Sequence, residues 1–414
     1  MNVLPAAVSL RDVTVVEPRL GTAAVRDLFV DHGRLVDAPP ADAADIDAAH
    51  LVAFPPLADV HVHYRDDILA AGAAGGFGTL VTMANQKPPI DSVEALRAIA
   101  ADSTPAVRLL PSACVTRGRT GREVVDMERL AREGGAVAFT DDGTMVADDD
   151  VMLEAMTRAA ALDLPVMDHA MVPSLMAGGV IRDCPLAREL GLPIVVPETE
   201  SAAVARDIAL SRRTGCAVHI QHVSCAASAD LIRAARAEGL RVSGEATPHH
   251  LLLAAEDIPC DDANWKMNPP LGTRADRDAV RQAVLDGTLS VLATDHAPHP
   301  ADAKARGFRE APFGIVGLET ALGASYQALV VECGMDLVEF FRRWTVGPGD
   351  LIRPCALPDG EYFRLGTSPR FVLADFSARH EVDPAHFLGG ATNSPFKGMF
   401  LPGVILIDMW NPSL

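Results

Sequence analysis

Asp295 ends a short apolar run within Leu292-Ala-Thr-Asp-His-Ala-Pro-His299. Residues 291–294 read as a parallel strand buried on both faces, since such strands are continuous apolar runs. An acid ending that run is costly unless a metal or a partner satisfies it. A capping or turn role is the plainer alternative for a single Asp. Several earlier segments end the same way. Asp59-Val-His61-Val-His63 closes an apolar run, and residues i and i+2 of a strand share a face, so both imidazoles point together. Phe139-Thr-Asp141-Asp142-Gly143 ends in two acids, one of which an Asx turn would explain. Met167-Asp168-His169 supplies a third imidazole. His219-Ile-Gln-His222 carries two more, three positions apart. Strand alternation keeps both from facing inward, so His222, nearer the strand end, is the better ligand and His219 the structural residue.

The inventory is four His (61, 63, 169 and 222) and two Asp, Asp295 and one of the 141–142 pair. These N and O donors suit a pair of divalent ions, zinc first. Such ions acidify water toward neutral pH, and an adjacent carboxylate can take its proton and return it to a leaving amide nitrogen. The chemistry implied is hydrolysis of an amide-like bond, or its reversal.

Something must hold these residues at one place. From residue 51 strand candidates recur at 57–63, 78–84, 106–113, 136–141, 165–169, 217–223, 240–246 and 289–294, with helical segments between them. Eight strands alternating with helices over about 250 residues predict a (β/α)8 barrel, whose strand C-termini form the site. A doubly wound sheet is the runner-up, but no GxGxxG follows the first strand. Helices over 316–332 and 336–345 close the barrel. Residues 1–50 read as short strands with a hairpin turn at His32-Gly33, and His32 and His50 as surface residues. Runs at 371–375 and 403–408 turn β-like again, so the two ends are expected to pair in a small β-sandwich. The expected division is 1–50 and 351–414 for that domain and 51–350 for the barrel.

The chain has 414 residues and a formal net charge of −19, which argues against nucleic acid or anionic membrane as partners. Seven cysteines without a CxxC pair predict reduced thiols and a cytoplasmic location. All but four of the 36 basic residues are Arg; Lys stands only at 87, 266, 304 and 397.

The motifs together resemble the bacterial dihydroorotases of the amidohydrolase superfamily. The resemblance rests on the HxH segment at 59–63, Met83-Ala-Asn85, Phe139-Thr-Asp-Asp-Gly143, Gln221-His-Val-Ser224, Glu245-Ala-Thr-Pro-His-His-Leu251, Trp265-Lys-Met-Asn-Pro-Pro-Leu271, Ala293-Thr-Asp-His-Ala-Pro-His299 and Ala311-Pro-Phe-Gly-Ile315. It implies that His61, His63 and Asp295 hold one zinc, that His169 and His222 hold a second, and that Asp142 bridges them. Asp295 would also shuttle the proton. Arg65, Asn85 and His299 would bind the substrate's carboxylate, and Asn268, Pro312, Phe313 and Gly314 would frame its ring. The implied reaction is reversible cyclisation of N-carbamoyl-L-aspartate to L-dihydroorotate in pyrimidine synthesis. Relatives that bridge their metals with a carboxylated Lys are set apart, because no Lys lies between 88 and 265. The chain departs from the family in a short segment, 66–77, after Arg65, in Met171-Val172 after the strand 5 His, in Gly272 after the Asn-Pro-Pro-Leu string, and in its ending, Trp410-Asn-Pro-Ser-Leu414. Expected partners are the small-molecule substrate and a second copy of the chain in a homo-oligomer. The alternatives are a weakly active scaffold subunit for aspartate transcarbamoylase, or a hydrolase for another cyclic amide or ureide.

Overall fold

A computed structural model describes residues 5–407; the tail at 410–414 lies outside the described residues. The chain begins with β1 (Ala7–Glu17), β2 (Thr22–Asp31), β3 (Arg34–Val36), β4 (Ala44–Asp47) and β5 (Leu51–Phe54). His32 and Gly33 have φ of 46° and 76°, so they make the tight hairpin between β2 and β3 that the sequence predicts. The last strands, β13 (Val372–Glu381) and β14 (Phe400–Ile407), join the first ones in a sheet ordered β14-β13-β5-β1-β2-β3, with β4 beside β1. Leu10, Val15, Leu28, Val30, Phe363 and Phe371 form its core. The two ends of the chain therefore pair, as expected.

Between them run β6 (Leu57–Val62), β7 (Phe77–Thr82), β8 (Arg108–Pro111), β9 (Val166–Asp168), β10 (Val218–Ile220), β11 (Val242–Ala246) and β12 (Val291–Leu292). β6-β7-β8 and β9-β10-β11-β12 are two parallel sheets. Parallel bridges from Phe139 to Ala113 and Val166, and from Val62 to His296, join them into a closed ring. Closure excludes the open doubly wound sheet. Val60, Val81, Met83, Ala138, Met167, Val291 and Ala293 come from all sides of the ring yet touch one another, so they fill its interior; Ile352 and Cys355 close it below.

The fourth strand is shorter than the expected 136–141. Ala138, Phe139 and Thr140 bond to both neighbours, and then the chain turns away. The cause is Asp141, whose carboxylate accepts from the backbone N–H of Val115 (2.9 Å) and Thr116 (3.2 Å) and so bends the segment toward the preceding loop. Helices do stand between the strands, among them Val93–Ala101, Asp149–Leu162, Glu198–Thr214, Ala226–Ala237 and Arg274–Leu285. The short crossover after Arg65 still forms a helix, Ile68–Ala74, capped by Asp67. It sits tightly: a Cβ on Gly75 would overlap the Leu318 carbonyl oxygen.

Candidate active site

β6 delivers His61 and, one residue past its end, His63; both are buried. His61 Nδ1 lies 2.5 Å from Glu245 Oε1. Burial opposes ionisation of Glu245, yet His61 and His219 outweigh it and pull its pKa down to about 2, so the ring nitrogens donate and the carboxylate accepts. Nε2 of His61 faces Asp142 Oδ1 and Asp295 Oδ1, 3.4 Å from each. His63 Nε2 lies 2.9 Å from Asp295 Oδ1, and its Nδ1 lies 2.9 Å from Asn85 Oδ1. Asn85 Nδ2 in turn donates to Asp142 Oδ2 at 2.9 Å. His169 Nδ1 is 3.4 Å from Asp142 Oδ1 and 2.8 Å from His222 Nε2. The six residues singled out at strand ends are thus gathered at one mouth of the barrel.

Two donor sets result, His61–His63–Asp142 and Asp142–His169–His222, each with its ligand atoms within 4.8 Å of one another. Asp142 belongs to both. Its partner acid, Asp141, is the structural one.

Three observations fit these residues to divalent ions. His61 Nε2 and His222 Nδ1 are buried without a hydrogen-bond partner among the described residues, a costly state for a polar atom. Burial, then the His169 and His61 imidazoles, hold His222 well below its ordinary pKa, which leaves its lone pair free. Burial opposes charge on His61, but Glu245, Asp295 and Asp142 drive its pKa well above the ordinary value. This concentration of carboxylates calls for a cation. Neutral imidazoles and ionised carboxylates are the ligand forms that bind metals.

His222 is where it was expected, but for a different reason. His219 also faces the barrel interior: its Nε2 donates to Glu245 Oε2 at 2.9 Å and its Nδ1 lies 2.8 Å from Ser243 Oγ. Alternation does not separate the two histidines because β10 stops at Ile220 and His222 takes a left-handed φ of 35°. Asp295 also turns at a φ of 51°. Non-glycine residues held this way cluster at functional sites.

Glu245 is the chief residue that sequence reasoning passed over. It is fully buried in β11, holds His61 and His219, and accepts from the His222 backbone N–H at 3.1 Å. The signal was present: an acid within a buried strand carries the same cost as the one that ends a strand at Asp295. Asp59 is similar, accepting from His61 N (3.0 Å) and Thr294 Oγ1 (2.5 Å), and so ties the first strand to the last.

Around the donors lies a half-buried rim. Arg65 Nη1 is 3.3 Å from His299 Nε2. Burial, then Arg65 and Lys304, lower the His299 pKa to about 4, so its ring is neutral. Asn268 Nδ2 lies 2.9 Å from His169 Nε2, which places this residue against the second donor set. The 312–314 loop packs on His299: a Cβ on Gly314 would lie 2.9 Å from its Nε2, and φ there is 126°. Asn393, another residue not anticipated, donates to the carbonyls of Ala297 and Gly314 (3.1 Å each) and accepts from His299 N at 3.2 Å. No helix among the described residues is long and apolar enough to cross a membrane.

Comparison with known proteins agrees with this arrangement. A family model described as dihydro-orotase-like matches residues 52–228. A dihydroorotase of Geobacillus thermodenitrificans is 40% identical over 382 residues, covering 89% of this chain and 87% of its own. A dihydroorotase of Shouchella clausii is 38% identical over 398 residues, covering 93% and 92%. Among solved structures, a dihydropyrimidinase from Brevibacillus agri superposes with a TM-score of 0.80 at 21% identity, covering 98% of this chain and 94% of that one. An L-hydantoinase from Arthrobacter aurescens gives 0.80 at 22%, covering 99% and 96%. The two structural matches bear on fold alone, a barrel with a sheet domain. The sequence relatives reach further: this chain belongs to the dihydroorotases, cyclic amidohydrolases of the amidohydrolase fold.

Proposed function

We propose that the chain is a zinc-dependent dihydroorotase that interconverts N-carbamoyl-L-aspartate and L-dihydroorotate in pyrimidine synthesis. The observation that carries this reading is the pair of donor sets sharing Asp142, next to an Arg65–His299 rim. His61, His63 and Asp295 would hold one zinc, His169 and His222 the other, and Asp142 both. Bound there, zinc would supply Lewis acidity and lower the pKa of a water.

The chain's own residues do the rest. Arg65 presents a planar guanidinium that can pair with the substrate carboxylate in two hydrogen bonds. His299, neutral beside it, offers a hydrogen bond without adding charge. Asn85 bridges His63 and Asp142 and so keeps both carboxylate oxygens of Asp142 directed. Asn268 and the 312–314 loop border the space left for a ring. Asp295 holds or releases the proton that passes between the attacking oxygen and the ring nitrogen. It takes that proton from the attacking oxygen in hydrolysis and returns it to the departing oxygen in cyclisation.

The test is turnover of L-dihydroorotate and N-carbamoyl-L-aspartate by purified, zinc-loaded protein, with and without an aspartate transcarbamoylase. Turnover of both is expected from the protein alone. Activity only with the transcarbamoylase would make the chain a dependent subunit; none in either case, with zinc bound, would overturn the reading.

A further inference from the structure

The four lysines are unevenly placed. Two of them, Lys266 and Lys304, are buried to 3% exposure and meet beneath the 311–314 loop. In a chain whose other basic residues are nearly all Arg, this position asks for a lysine's particular shape. Lys304 Nζ donates to the carbonyl oxygens of Lys266 (3.0 Å), Pro312 (3.1 Å) and Gly314 (2.9 Å). Three acceptors converge on one point, which suits an ammonium with three donors; a guanidinium is a planar fork. Lys266 Nζ donates to Ala311 O at 2.6 Å and stands 4.5 Å from the centre of the Phe313 ring. The Gly314 N–H closes the arrangement by donating to Lys266 O at 3.0 Å.

We propose that Lys304, supported by Lys266, is a positioning residue that holds the 311–314 loop against His299 and so shapes the substrate rim. This rests on the dihydroorotase reading only for the identity of the substrate. The groups facing Lys304 are Lys266, Asp262 and His299. Burial, then the Lys266 charge, draws the Lys304 pKa down to about 7, against Asp262 and the three carbonyls, which favour the ammonium. A neutral amine keeps two donors and turns a lone pair toward a carbonyl, so the grip is complete at low pH and loosens as pH rises.

The test compares wild type with Lys304→Met and Lys304→Arg in full-length, zinc-loaded protein. Bound zinc, hydrogen exchange of the Gly314 amide, and KM and kcat for dihydroorotate are read together. For Lys304→Met the expected result is unchanged zinc, exchange at Gly314 faster by about tenfold or more, and KM raised about tenfold with kcat little changed. Lys304→Arg keeps the charge and should not restore either reading. Wild-type exchange and KM in Lys304→Met, or full rescue by Arg, would overturn the proposal. If Lys304→Met does not fold, the wild type carries the test. Between pH 6 and 9, corrected for intrinsic exchange, Gly314 should lose protection while amides of β11 keep theirs; equal behaviour of the two would overturn it. If wild type fails to turn dihydroorotate over, the exchange data still judge the lysines, and the substrate reading alone falls.

Discussion

The donor cluster and the rim around it are built on different principles. His61, His63, Asp142, His169, His222 and Asp295 are all buried and stand at strand ends or within three residues beyond them. Their orientation comes from the ring of strands and from other buried side chains, Glu245 and Asp59 above all. Arg65, Asn85, Asn268, His299, Pro312 and Phe313 are half-buried and stand on loops. Much of that rim is held by side chains reaching for backbone carbonyls, as Asn393 and Lys304 do. Loops cannot bury their own polar backbone without such partners. Changes in the cluster should therefore alter metal binding and chemistry, and changes in the rim should alter substrate affinity.

The largest effect is expected at Asp295. Asp295→Asn keeps the shape and a carbonyl oxygen but cannot accept a proton; loss of a general base typically costs about 10²–10⁴-fold in rate. The variant should fold and retain much of its metal, yet lose turnover in both directions from pH 6 to 9. Activity equal to wild type would remove Asp295 from the chemistry. Next comes Glu245→Gln, which leaves His61 and His219 without their carboxylate. Outer partners of ligating histidines are typically worth about 10–100-fold in metal affinity, to be read by competition with a chelator. An unchanged affinity would mean that the strands alone orient His61.

Arg65→Ala examines the other region. A charged hydrogen bond is worth about 1.5–3 kcal/mol, so kcat/KM for dihydroorotate should fall roughly tenfold or more, mostly through KM. A loss confined to kcat would place Arg65 with the chemistry and blur the distinction between cluster and rim. The smallest effect is expected from Ser243→Ala, which removes only the hydroxyl at His219 Nδ1. One neutral hydrogen bond is worth about 1 kcal/mol, so metal affinity should change by no more than about fivefold. A larger loss would show that the chain of contacts from Ser243 through His219 and Glu245 to His61 acts as a unit.

The cluster was legible in the sequence because its cause is local. An acid or imidazole at the end of an apolar run marks a strand terminus, and a barrel brings such termini together. Glu245 was passed over because it lies inside its strand, although the same cost of burying a charge applies. The motif resemblance named Asn268 and the 312–314 loop; Asn268 borders the donor His169, and the loop borders His299. Lys266 and Lys304 went unassigned, since their partners are backbone carbonyls that only the folded loops bring together, up to 45 residues away in sequence.

Strand-and-helix periodicity, five of the six donors and the exclusion of a Lys bridge at strand 4 followed from the order of residues alone. They depend on burial cost and on which side chains exist at a position. Tertiary structure decided which acid of the 141–142 pair serves the site, because Val115 and Thr116 claim Asp141. It also decided that His219 and His222 both reach the interior, because a left-handed φ at residue 222 breaks the strand's alternation. A turn's handedness and a backbone donor many residues away are set by packing, and packing is settled only when the whole ring has closed.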